Sequence, residues 1–179
     1  MKYFAYGSNM LIERLKARCK TAILIGSAHM EGYKIIFTKR SVDGSGKATL
    51  VNTGNKKSVT FGVLFEIDVT EEQELNEIEK GYIADNTFSV VLGGKIVTGV
   101  KTYTAPENNC EEGLPVYDWY LALVIAGCHQ HKLDKGYISE MIEKNIASED
   151  LDDTRKTKIE ALEILRQTGF DKVFSELKY

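Results

Sequence analysis

The chain opens Met1-Lys2-Tyr3-Phe4-Ala5-Tyr6-Gly7-Ser8-Asn9-Met10, where a short β-favouring run meets a glycine turn and then the start of a helix. Tyr3, Phe4 and Tyr6 favour a strand, Gly7 can take backbone angles that other residues avoid, and Ser8 or Asn9 can cap a helix opening at Met10. Unpaired backbone N–H groups at such a turn face a bound anion, so Tyr6, Gly7, Ser8 and Asn9 form a candidate anion and oxyanion cradle. The plain alternative is a simple strand-to-helix connection. Two other groups of residues invite a chemical reading. Ser8 as a hydrolase nucleophile lacks the G-x-S-x-G elbow, since Tyr6-Gly7-Ser8-Asn9-Met10 offers only the first glycine, and His29, His129 and His131 are the only histidines available as a base. Cys128-His129-Gln130-His131 carries zinc-binding residue types, but contiguous residues on one turn point in different directions and no second cluster completes four ligands.

The elements that must position these residues follow from periodicity and turn chemistry. A helix is expected from Met10 to Cys19, a buried strand over Ala22 to Ala28 and a further strand over Tyr33 to Thr38. Gly44-Ser45-Gly46 reads as a turn leading into Ala48 to Val51. Val59, Phe61, Val63, Phe65 and Ile67 alternate with Thr60, Gly62, Leu64 and Glu66, the period of a strand with one face in a core. Thr70 stands three residues before Gln73, a capping-box spacing, with Glu71 and Glu72 in the first turn of a helix running to about Glu79. Gly93-Gly94 between Ser89-Val90-Val91-Leu92 and Lys95-Ile96-Val97-Thr98 predicts a tight hairpin whose second arm continues to Tyr103. Pro106 to Pro115 reads as a loop long enough to serve as a lid. Helical spacing follows in Tyr117, Tyr120, Leu121, Val124, Ile125 and Cys128, then in Ile138, Met141 and Ile142. A last helix is expected from Thr154 to Gln167, with Ile159, Leu162 and Leu165 on one face and Gly169 beyond its end. Strands dominate the first hundred residues and helices the rest, which places the chain in the α+β class.

Composition narrows the function. The 179 residues suit one domain, able to bury roughly two-thirds of its unfolded surface. Three cysteines (Cys19, Cys110, Cys128) without a C-x-x-C pair point away from a disulfide framework and toward a reducing compartment. A net charge of −3 without a basic face disfavours nucleic acid, and Lys56-Lys57 and the Lys132 to Lys135 region read as solvated loops. No apolar run reaches the roughly 18 to 20 residues a membrane span needs, and no leader pattern opens the chain. The expected setting is soluble and cytoplasmic.

Tyr6-Gly7-Ser8-Asn9 behind Tyr3-Phe4-Ala5 resembles the signature loop of the gamma-glutamylcyclotransferase family. The likeness continues through Leu11-Ile12-Glu13-Arg14-Leu15, Gly46-Lys47-Ala48-Thr49-Leu50, Phe61-Gly62-Val63-Leu64-Phe65, Leu75-Asn76-Glu77-Ile78-Glu79 and Thr102-Tyr103-Thr104. It covers residues 1–145, a gamma-glutamyl cyclotransferase-like domain; 146–179 is expected to be a helical C-terminal extension packed on the same domain. The resemblance implies a small mixed β-barrel with flanking helices and a pocket where the Tyr6 to Asn9 loop meets the barrel. It also implies a reaction, in which the α-amine of a γ-glutamyl group attacks its own γ-carbonyl, closing 5-oxoproline and releasing an amino acid or amine. No metal or cofactor is implied.

Within that family pattern Glu79 falls at the catalytic glutamate, the general base and then acid. A carboxylate at the C-terminal end of a helix, buried against a barrel, has its pKa raised toward the working pH by both effects. The sequence departs from the pattern twice, with Asn76 for the usual aspartate and Lys80 before Gly81. A shifted register would place Glu77 in the role instead, on a different face of the helix. Tyr103 matches a family tyrosine facing the site, and Tyr6 to Asn9 would hold the γ-glutamyl moiety. The expected partner is a small-molecule γ-glutamyl amide, neither nucleic acid nor membrane. The helical half looks more like the γ-glutamyl-amino-acid branch than the glutathione-specific one. The alternative is a non-catalytic member of the fold that binds a γ-glutamyl ligand or a protein. Trp119 and Leu123 suggest a face for a homodimer.

Overall fold

A computed structural model describes all 179 residues. Five strands close a barrel in the order β1-β5-β2-β6-β7: β1 Lys2–Ala5, β5 Val59–Glu66, β2 Ile23–Glu31, β6 Ile83–Leu92 and β7 Lys95–Thr104. Four of its pairings are antiparallel, and β1 closes the ring beside β7 in parallel at Tyr3 and Lys101. β3 (Tyr33–Arg40) and β4 (Gly46–Asn52) leave the barrel as a separate antiparallel hairpin. The β6–β7 turn is the expected one, with Gly93 at φ 55° and Gly94 at φ 79°, angles that suit the twist of a two-residue hairpin and that side chains oppose.

Five helices flank the barrel: α1 Ile12–Lys16, α2 Glu72–Ile78, α3 Asp118–Gln130, α4 Lys135–Lys144 and α5 Lys156–Gln167. α3 is the central one, with every residue from Trp119 to Cys128 buried. A helix apolar all round must be covered on all sides, and the chain after it supplies the cover. β9 (Ala147–Ser148) pairs with β8 (Val116–Tyr117), while Ala161, Leu165, Val173 and Leu177 join the same apolar cluster as Phe4, Leu64 and Leu121.

Several local expectations are corrected. The stretch from Met10 to Cys19 is a 3-10 turn, Ser8–Met10, followed by the short α1, and neither Ser8 nor Asn9 caps a helix, because both side chains are engaged elsewhere. The Thr70–Gln73 capping box does not form. Asp68 accepts from the Thr70 backbone and hydroxyl, because the chain enters α2 through a 3-10 turn. Ile23, Leu24 and Ile25 at the start of β2 are exposed rather than buried. β5 is covered on both faces from Gly62 to Phe65, where β1 crosses it. In α5 Leu165 is buried as expected, but Ala161 accompanies it and Ile159 and Leu162 face solvent. Trp119 and Leu123 lie inside the subunit, covered by the C-terminal segments, and offer no association face.

The seam between α3 and the opening loop is close. A Cβ built on Gly127 would lie 2.6 Å from Met10 Cβ and 2.9 Å from the Leu11 amide nitrogen. Helix propensity alone favours alanine there by about 1 kcal/mol. Here the clash is with backbone, and the expected result of Gly127→Ala is a loss of about 1–3 kcal/mol, read as a lowered Tm in thermal unfolding.

Candidate active site

The opening loop turns at the mouth of the barrel. Gly7 has φ −111° there, not the left-handed conformation its type would allow, and a Cβ on it would make only ordinary contact with Ala48 Cβ at 3.4 Å and Tyr120 Oη at 3.5 Å. Tyr6, Gly7, Ser8, Asn9, Glu79 and Tyr103 all line one small cavity of about 40 Å³, together with Tyr3, Ala48, Tyr82 and Tyr120. Elements distant in the chain converge on it: β1 brings Tyr3, β4 Ala48, β7 Tyr103 and α3 Tyr120. Glu79 is the residue that ends α2, while Glu77 is exposed and lies outside the cavity.

The hydrogen bonds give this cavity a direction. Asn9 Nδ2 donates to Glu79 Oε1 at 2.7 Å and to the Tyr3 hydroxyl at 3.0 Å, and Arg18 Nη1 donates to Asn9 Oδ1 at 2.9 Å. Arg14 Nε donates to Ser8 Oγ at 3.2 Å, and the Ala48 amide donates to the Tyr120 hydroxyl at 3.0 Å. Tyr3, Ser8 and Tyr120 therefore accept from behind and donate to no protein atom, so each keeps a proton for the cavity. The other phenols are committed: Tyr6 donates to the Tyr103 carbonyl, Tyr82 to the Ala48 carbonyl at 2.9 Å, and Tyr103 to Asn76 Oδ1 at 2.7 Å. At position 76 asparagine keeps the acceptor oxygen that Tyr103 uses.

Burial pushes the Glu79 carboxyl above the usual range, opposed in turn by Arg18, the Asn9 hydrogen bond, Arg14 and Lys39. Burial and then the Glu79 charge also hold the phenols of Tyr3 and Tyr6 well above their ordinary value, so they remain protonated donors at neutral pH. Arg14 is buried and pushed down to about 9 by that burial and by the neighbouring Arg18. Sequence reading missed the direct parts played by Tyr3, Tyr82, Tyr120 and the two arginines. Arg14 and Arg18 lie four residues apart, a spacing that puts two side chains on one helix face, and that was the available signal.

The remaining candidates fall elsewhere. Cys128 is buried in the core, His129 faces Glu176 at 2.9 Å and the ring of His131 meets the Met10 carbonyl at 2.9 Å, so the three point apart. The loop from Pro106 to Pro115 does not line the small cavity; its Asn109 donates to the Gly81 carbonyl at 2.9 Å, beside the Tyr82 wall. A larger cavity of about 1040 Å³ lies between β3, the start of β5 and α4, and holds none of the expected site residues. No helix is long and apolar enough to cross a membrane.

A closed five-stranded barrel with helices outside and a lone carboxylate facing hydroxyls at its mouth defines a gamma-glutamyl cyclotransferase-like domain. The family model "Gamma-glutamyl cyclotransferase, AIG2-like" matches residues 3–121, and the chain belongs to that family. A solved gamma-glutamyl cyclotransferase superposes with a TM-score of 0.78 at 21% identity, covering 91% of this chain and 98% of that one. An uncharacterized protein from Homo sapiens gives 0.77 at 22% identity, with 90% and 97% covered. A yeast gamma-glutamyl cyclotransferase specific to glutathione gives 0.51 at 15% identity, with 93% and 96% covered. At these identities the likeness is one of fold. No curated protein matches the sequence.

Proposed function

We propose that this protein is a γ-glutamylcyclotransferase that converts a γ-glutamyl amide into 5-oxoproline and a free amine or amino acid. The reading is carried by the polarity of the cavity, where one carboxylate acceptor faces hydroxyl donors. A γ-glutamyl head group is the complement of such a wall: its ammonium donates to Glu79, and its carboxylate and γ-carbonyl accept from hydroxyls. In the proposed reaction Glu79 takes a proton from the ammonium and the freed amine attacks the γ-carbonyl. The Tyr6 to Asn9 loop and Tyr103 wall in the folded group, and the free hydroxyl protons of Tyr3, Ser8 and Tyr120 stabilise the oxyanion. As the ring closes, the scissile C–N bond breaks and Glu79 returns the proton to the departing nitrogen. One raised carboxyl suits both transfers, because proton transfer is most effective when the pKa lies near the operating pH.

The cavity of about 40 Å³ has room for a few waters, less than a whole γ-glutamyl amide occupies. Tyr82 forms part of the cavity wall. It is tied by its hydroxyl to Ala48, by Asn109 to its neighbour Gly81, and by the Lys39 ammonium 4.9 Å from its ring centre. The test is release of 5-oxoproline from a panel of γ-glutamyl dipeptides, γ-glutamylamines and glutathione. Turnover of any member supports the reading and names the leaving group. Silence across the panel from folded protein would overturn it in favour of a ligand-binding member of the fold.

A further inference from the structure

Asparagine amides and serine hydroxyls can point either way, and a cavity lined by them has no fixed character until something behind them decides. Here the deciding groups are two arginines. A guanidinium only donates, so the face of the Asn9 amide that meets Arg18 Nη1 must be its oxygen, and the amide nitrogen is turned toward Glu79 and Tyr3. Ser8 follows the same rule, since its oxygen accepts from Arg14 Nε and its proton is left for the cavity. Arg14 belongs to α1, and Arg18 follows in the turn that continues it, with the Ala17 amide bonded to Glu13 and the Arg18 amide to Leu15.

Neither arginine has a carboxylate within ion-pair distance, although Arg14 is only 7% exposed. A buried cation held against a neutral hydroxyl is costly to fold, and fold stability alone gives no reason to keep Arg14 there, while Arg18 is half-buried and spends its Nη1 donor on the Asn9 amide. We propose that Arg14 and Arg18 are positioning residues that fix the hydrogen-bond polarity of Ser8 and Asn9, so that the Ser8 hydroxyl and, through the Asn9 amide, the Tyr3 hydroxyl present their protons beside Glu79 and select an anionic head group carrying one ammonium. The selectivity rests on the cyclotransferase reading above; the polarity itself does not.

The groups around Glu79 are Arg14 and Arg18 from the α1 segment, Cys19 just after it, Tyr3 from β1, Tyr6 from the loop, Lys39 from β3, Tyr82, Tyr103 from β7 and Tyr120 from α3. Arg18→Met removes the donor that orients Asn9 and frees the amide to turn its oxygen toward Glu79, an arrangement open only to a protonated carboxyl. The experiment is an NMR pH titration without substrate. It follows the Glu79 carboxyl, assigned by its loss in Glu79→Gln, together with the side-chain amide of Asn9. In wild type and in Arg18→Lys the Asn9 amide resonances should move with the Glu79 titration. In Arg18→Met that coupling should be lost and the Glu79 midpoint should rise by about one unit or more, the size expected on removing a nearby opposite charge.

An unchanged midpoint and an intact Asn9 response in folded Arg18→Met would overturn the proposal. A raised midpoint with the Asn9 response intact would also overturn it, since Arg18 would then act through charge alone. For Arg14→Met the expected result is a rise of about tenfold in KM for the best panel substrate with kcat little changed, the mark of a lost ground-state contact; an equal fall in kcat and kcat/KM would overturn the assignment for Arg14. If no panel member turns over, the titration still decides the polarity while the cyclotransferase reading falls separately.

Discussion

Glu79→Gln should lower 5-oxoproline release by roughly 100- to 10,000-fold while the protein folds and binds γ-glutamyl ligand with little change, the range that general acid–base groups contribute. Glutamine keeps an oxygen for Asn9 Nδ2, now 2.7 Å from Glu79 Oε1, so the wall stays in place and only the proton acceptor is lost. The same substitution has an opposite effect on stability, and the sign follows from linkage. Burial raises the folded-state pKa of Glu79 above its unfolded value, so folding favours the protonated form. That contribution is fully present below the unfolded pKa and is lost as pH rises through the folded one. Above the folded-state pKa the ionised Glu79 therefore costs stability, and Glu79→Gln should melt higher than wild type there, with the difference shrinking as pH falls through that pKa. Activity runs the other way: kcat/KM of the wild type should fall as pH drops through the raised pKa, because a protonated Glu79 takes no proton from the ammonium. A pH series of melting curves and initial rates checks both. Full turnover in Glu79→Gln would remove it from the chemistry.

The parts of this site that were legible in the sequence are those carried by contiguous residues. Tyr6 to Asn9 announce a turn, and Leu75 to Glu79 announce a carboxylate at a helix end; both segments reach the cavity. The hydroxyl wall was not legible, because Tyr3, Tyr82 and Tyr120 become neighbours only when the barrel closes and α3 packs over its mouth. Closure itself depends on β1 lying parallel to β7 across nearly a hundred residues, a pairing that period-two alternation does not encode. Local patterns also failed where tertiary partners competed for the same atoms. Thr70 and Gln73 have capping-box spacing, yet Asp68 takes the Thr70 amide and hydroxyl, and Glu71 accepts from the Lys20 and Thr21 amides in the turn before β2. Ser8 and Asn9 have the chemistry of caps, yet Arg14 and Arg18 claim their oxygens. Residues that look like helix punctuation are here diverted to the cavity.

The largest expected loss of stability lies in the helical half, at the residue whose aromatic surface resembled an association face. Trp119 is 2% exposed, its ring tilted against Tyr117 and edge-on to Tyr120, and its indole nitrogen donates to Asp150 Oδ2 at 2.9 Å. Asp150 also accepts from Arg155 Nε at 2.6 Å, so one carboxylate ties α3 to the start of α5. Trp119→Ala should cost about 3–5 kcal/mol, the usual toll for a large buried aromatic, or roughly 6 to 20 °C in Tm for a chain of this size. Trp119→Phe keeps most of the ring and loses only the donor, for which about 1–3 kcal/mol is expected. Burial pushes the Asp150 carboxyl up, but the Arg155 and Trp119 hydrogen bonds outweigh it and hold it below its ordinary value. A lowered folded pKa gives stability present above the unfolded pKa and lost as pH falls through the folded one. Trp119→Phe removes one of the bonds that lower it, so its acid unfolding should begin at higher pH than that of wild type. Because Tyr120, the next residue on the helix, contributes a hydroxyl to the cavity, Trp119→Phe is expected to raise KM modestly where the protein remains folded. A variant that melts with wild type, in acid and at neutral pH alike, would mean that the C-terminal segments do not hold α3 against the barrel.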